Sequence, residues 1–73
     1  MVRIINIRVR RGDMKRSIEN FGSGRFLVRV GGKTNEEINK EVVEMLSRYL
    51  GHPMNRIELI GGSEAEDKVF QLV

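Results

Sequence analysis

Residues 34–51 read TNEEINKEVVEMLSRYLG, and their apolar side chains recur at three- and four-residue intervals. Ile38, Val42, Met45, Leu46, Tyr49 and Leu50 fall on one stripe, the signature of an amphipathic helix laid on a core. Thr34 and Glu37 have the spacing of a capping box, in which each side chain accepts a hydrogen bond from the other residue's otherwise orphaned amide. Gly51 closes the last turn in a left-handed conformation, and Pro53 blocks continuation. A single helix over Thr34 to Leu50 therefore needs one apolar surface to cover.

The sequence supplies that surface on both sides of the helix. Val2 to Arg10 alternates with period two, placing Ile5, Ile7 and Val9 on one face and Asn6, Arg8 and Arg10 on the other. Arg25 to Val30 repeats the pattern, with Phe26, Val28 and Val30 opposed to Arg25, Leu27 and Arg29. Between them, Arg11-Gly12-Asp13 breaks the alternation, and Met14 to Gly24 reads as irregular or briefly extended, a long loop being the expected form, with Ile18 and Phe21 available to plug the core. After the helix, Ile57 to Ile60 and Lys68 to Val73 are short strands joined by Gly61 to Asp67. The expectation is one α+β domain over residues 1–73: two layers, about four mostly antiparallel strands with one long helix on one face, in the order β-β-α-β-β.

Size and composition bound the rest. Seventy-three residues make one domain and a thin core, and with no Cys the fold has neither a disulfide nor a thiolate ligand to support it. No apolar run approaches the length of a membrane span or a signal-peptide core, so a cytoplasmic protein with no membrane partner is expected. Charge is unevenly spread. Residues 1–35 hold 9 Lys or Arg against 2 Asp or Glu, whereas residues 36–73 hold 4 against 8. A basic half of this kind suits an anionic partner such as RNA.

One helix covers only one face of a sheet, so the other face meets solvent or a partner. With Ile5, Ile7, Val9, Phe26, Val28 and Val30 beneath the helix, Arg8, Arg10, Arg25 and Arg29 stand on the open face, either as phosphate contacts or as ion-paired, solubilising side chains. The familiar RNA-binding sheets add exposed aromatics on which bases stack; here Phe26 reads inward, and no Lys/Arg-Gly-Phe/Tyr run is present.

Two loops complete the search. Gly31-Gly32-Lys33-Thr34 resembles the end of a P-loop, but Leu27 occupies the position where the upstream glycine belongs, which removes nucleotide hydrolysis. A tight turn with a cap, or a weak anion site at the helix start beside Lys33, remains. The carboxylates of Gly61 to Asp67 lack the spacing of a calcium loop. His52 is the only histidine and follows the helix C-terminus, where its charge interacts favourably with the dipole. No nucleophile–base pair, metal constellation or cofactor motif can be assembled, so no enzyme and no cofactor are expected.

Gly32-Lys33-Thr34-Asn35, Leu50-Gly51-His52-Pro53 and Gly62-Ser63-Glu64-Ala65-Glu66-Asp67-Lys68 occur in an order and spacing that resembles the YggU-like family. That family carries Gly-Lys-Ala-Asn at the helix start, a Leu-Gly-x-Pro turn and a later Gly-x-x-Ser-Arg-x-Lys segment. Gly32, Lys33, Asn35, Gly62 and Lys68 match, while Thr34, Ala65 and Glu66 replace Ala, Ser and Arg, and Arg11 stands where the family usually has Pro. The resemblance implies the α+β order already read and no particular activity. If the helix start and the last hairpin loop share one side of the sheet, Gly32, Lys33, Asn35, Gly62, Ser63 and Lys68 form one small anion site.

Two functions follow as expectations. One is a non-catalytic binding module for an anionic partner such as RNA, using the arginine face or the Lys33–Lys68 pole. The other is a protein-interaction or dimerisation module, monomer or weak homodimer, using the uncovered face with Leu27 and Ile4.

Overall fold

The computed structural model of the chain describes residues 2–12 and 15–73. Its order is β1 (Arg3–Arg11), β2 (Ser17–Gly22), β3 (Arg25–Val30), α1 (Asn35–Leu50), a 3-10 turn (Met54–Arg56), β4 (Ile57–Gly61) and β5 (Asp67–Leu72). The strands form one five-stranded sheet in the order β2-β3-β1-β5-β4. β1 pairs with β3 in parallel, and the β1–β5, β2–β3 and β4–β5 pairs are antiparallel.

The α+β class and the single helix on one face stand as read, and the strand count is corrected from four to five. The extra strand, β2, lies in the stretch read as a loop; Asp13 and Met14, just before it, lie outside the described residues. β2 is an edge strand that buries little, so Ser17–Gly22 carries no period-two pattern to betray it. Its pairing is enforced by the turn. Ser23 and Gly24 have φ of 54° and 72°, the two positive values of a type I′ hairpin, which matches the twist of the strands on either side. Ser-Gly was the signal for it.

The capping box on α1 forms as the spacing requires: the Glu37 amide donates to Thr34 Oγ1 at 3.1 Å, and the Thr34 amide donates to Glu37 Oε1 at 3.2 Å. At the other end Gly51 is left-handed, with φ 65°. The helix presses Ile38, Val42 and Leu46 against Ile5, Ile7 and Val9 of β1 and Phe26, Val28 and Val30 of β3, all buried, with Ile57 of β4 and Phe70 and Leu72 of β5 completing the core. Tyr49, on the same stripe, sets its ring edge-on to Phe26 at 5.9 Å. Ile18 packs at the margin of this core, but Phe21 does not: it is 66% exposed, which corrects its assignment as a core plug. Among the described residues no helix is long and apolar enough to cross a membrane.

Candidate functional site

The pole around the helix start holds the residues of the two glycine motifs, but it divides them. Lys33 borders a surface hollow with Arg16, Gly31, Gly32, Glu37, Lys40, Glu41 and Glu44. Asn35 and Lys68 border a different and much smaller one, about 30 Å³, with Arg11 and the Glu64–Glu66 segment. The two lysines thus flank the helix start without sharing a cavity.

The free amides at this pole hold carboxylates of the chain itself. The main-chain N–H groups of Lys33 and Thr34 both donate to Glu37 Oε1, at 3.0 and 3.2 Å, and that of Gly31 donates to Glu41 Oε2 at 3.1 Å. These bonds hold the Glu37 carboxyl below its ordinary range, the Lys33 amide contributing most and the Thr34 amide next. Glu41 also lies 3.5 Å from the Arg16 guanidinium. Gly32 permits this packing, because a β-carbon there would come within 2.8 Å of Glu41 Oε1 and 3.1 Å of Glu37 Cβ.

Lys68 does not present its charge to solvent. It is 2% exposed, faces the helix side of β5, and donates to the carbonyl oxygens of Gly62 at 2.9 Å and Ser63 at 3.1 Å. Ser63 also accepts from Asn39 Nδ2 at 3.1 Å, so the loop is tied to α1 by the same carbonyl. His52, at the opposite pole, places Nε2 3.2 Å from the Val73 carbonyl oxygen.

The open face of the sheet is different in kind. Strand register sets Arg25 beside Asn6, Leu27 beside Arg8 and Arg29 beside Arg10, all on the side away from α1. The four arginines named from the sequence do share that face. Two are spoken for. Arg8 grips Asp67 with two nitrogens, at 2.9 and 3.3 Å, which raises the guanidinium pKa chiefly through that hydrogen bond. Arg29 donates to Glu19 at 2.7 Å and to Ser17 at 3.3 Å.

Arg10 and Arg25 make no side-chain hydrogen bond or ion pair with any described residue. Together with Arg8, Phe21, Leu27 and Val69 they line a broad, shallow concavity of about 680 Å³. Phe21 is the member of this group that the pattern reading missed, because the hairpin that carries it was not recognised. Among the described residues no three His, Cys, Asp or Glu side chains converge as metal ligands would. No family model matches the chain.

Proposed function

We propose that the protein is a non-catalytic binding module whose open sheet face holds the phosphate backbone of a nucleic acid. The observation that carries this reading is the pair Arg10 and Arg25, two guanidinium groups without a partner among the described residues, on one uncovered face and set in a concavity between strands. Guanidinium matches phosphate oxygens in both charge and geometry, so such groups are suited to contacts that position a backbone. The excess of 9 basic over 2 acidic residues in the first half of the chain gives the encounter a favourable long-range field. The pole around Lys33 is a weaker seat for phosphate, because its amides already hold Glu37 and Glu41.

The test is fluorescence anisotropy with labelled RNA of mixed sequence at low and physiological salt. The expected result is salt-sensitive binding that falls at least about tenfold in Arg10→Glu/Arg25→Glu, as loss of two phosphate contacts and gain of two repulsions require. Absence of binding at low salt overturns the reading. Self-association through this face is the competing use. Sedimentation at several concentrations reports it directly.

A further inference from the structure

Phe21 occupies an unusual place. It is the most exposed of the described large apolar side chains, at 66%, yet it is held in a strand. The β2–β3 pairing runs from Asn20 opposite Phe26 directly to Gly22 opposite Arg25, so Phe21 is the extra residue of a β-bulge. Alternation along β2, with Ile18 opposite Val28 on the helix side and Glu19 opposite Leu27 on the other, puts Phe21 on the open face, where its ring lines the concavity that Arg10 and Arg25 border. The bulge is locally secured: the Gly22 amide donates to Asn20 Oδ1 at 2.8 Å, and Gly22 takes the positive φ of 83° that follows. An isolated exposed apolar residue is ordinary. An exposed aromatic in a concavity bordered by two cations that pair with no described residue carries more information.

We infer that the face takes single-stranded nucleic acid, with one unpaired base stacked on the Phe21 ring and phosphates held by Arg10 and Arg25. The inference rests on the reading of the open face as a nucleic-acid surface. The distinction between single and double strands follows from what each presents. A duplex stacks its base faces on one another and offers phosphates, sugars and groove edges, which leaves the ring no base face to stack on. A single strand offers both, and every base has a face that an aromatic side chain accepts. Register puts Arg25 beside Asn6, four residues before Arg10, so the two cations stand roughly 13 Å apart along the sheet at about 3.3 Å per residue. That is a span for a few nucleotides, and binding of modest affinity and little sequence preference follows.

The experiment uses the full chain and fluorescein-labelled oligouridylate, oligothymidylate and an RNA duplex of equal length. Phe21→Ala is expected to weaken oligouridylate binding about tenfold, in keeping with the loss of one stacked base. It leaves the salt dependence unchanged, because no phosphate contact is lost, and Phe21→Trp restores affinity with quenching of the indole fluorescence. Arg10→Gln/Arg25→Gln lowers the slope of log K against log salt by about 1.4, at roughly 0.7 per phosphate on a single strand. Equal loss on oligothymidylate assigns recognition to the base and phosphate; loss confined to oligouridylate adds the 2′-hydroxyl. If Phe21→Ala binds oligouridylate as the wild type does while the arginine pair weakens it, stacking is overturned and the phosphate-binding face survives. Wild-type binding to the duplex as tight as to single strands overturns the strand preference, and no binding to any of the three overturns the face itself. Phe21 is exposed, so the variants keep the fold, which a thermal melt verifies.

Discussion

The ammonium of Lys68 lies 2.9 Å from the carbonyl oxygen of Gly62, six residues earlier in the chain, and the pair closes the β4–β5 loop over the first turns of the helix. A cation buried to this degree normally has a carboxylate beside it. Lys68 forms no ion pair among the described residues; the two carbonyl oxygens of Gly62 and Ser63 take the place of water around its charge. The lysine therefore orders a loop and does not offer itself to a ligand.

Burial pushes the Lys68 pKa below 10.5, and the charge of Arg11 pushes it the same way. Between that lowered value and 10.5 the unfolded chain binds more protons than the folded one, so this group makes stability rise with pH across that window. Below the folded value both states are charged, and the desolvation cost is carried in full. The slope cannot exceed about 1.4 kcal/mol per pH unit for a single proton. Urea unfolding from neutral to alkaline pH should show this rise in the wild type and a flatter profile in Lys68→Met.

Gly62→Ala should be among the most damaging single changes in the chain. Gly62 has φ of 74°, and a β-carbon there would collide with the Asp67 carbonyl oxygen. The left-handed conformation alone costs a non-glycine residue about 1–2 kcal/mol, and the collision with backbone brings the total to about 3 kcal/mol or more. Gly51→Ala is the control: φ is 65° but nothing lies within 4 Å, so the loss should stay near about 1 kcal/mol. Denaturation midpoints of the two variants make the comparison.

At the helix start, Thr34→Ala removes the acceptor of the Glu37 amide and should cost about 1 kcal/mol. The Glu37 carboxyl sits below its ordinary value because two amides donate to it. Its stabilising contribution is thus complete above the ordinary value of 4.5 and is lost as pH falls through the lowered one. Glu37→Gln should shallow the acid limb of the stability profile, read by circular dichroism at falling pH.

Asp67→Asn separates fold from binding. The Arg8–Asp67 pair is exposed on both sides, 57% and 71%, so its removal should leave the melting temperature nearly unchanged. It also frees a third guanidinium on the open face. Affinity for single-stranded RNA should rise about threefold, with a salt slope steeper by about 0.7. Unchanged affinity would place the binding surface elsewhere.

What could be read without a structure was whatever depends on neighbours in sequence. The helix with its box at Thr34 and Glu37 and its stop at Gly51, the inward residues of β1 and β3, and the arginines on the face opposite them all follow from periods of 3.6 and 2. The edge strand β2 escaped because Ser17–Gly22 buries almost nothing, and burial is what writes a period into a sequence. With it went Phe21, which hydrophobicity alone assigns to the core and the alternation of β2 points outward. The fates of individual charges were equally hidden. Lysine at 68 and arginine at 8, 10, 25 and 29 read alike as cations in a chain, yet β5 turns Lys68 beneath the helix, Asp67 captures Arg8, Glu19 captures Arg29, and Arg10 and Arg25 are left without partners among the described residues. Local patterns determine which way a side chain points from its own strand; which groups it meets there depends on strand order and register, set by contacts between residues as far apart as Arg8 and Asp67.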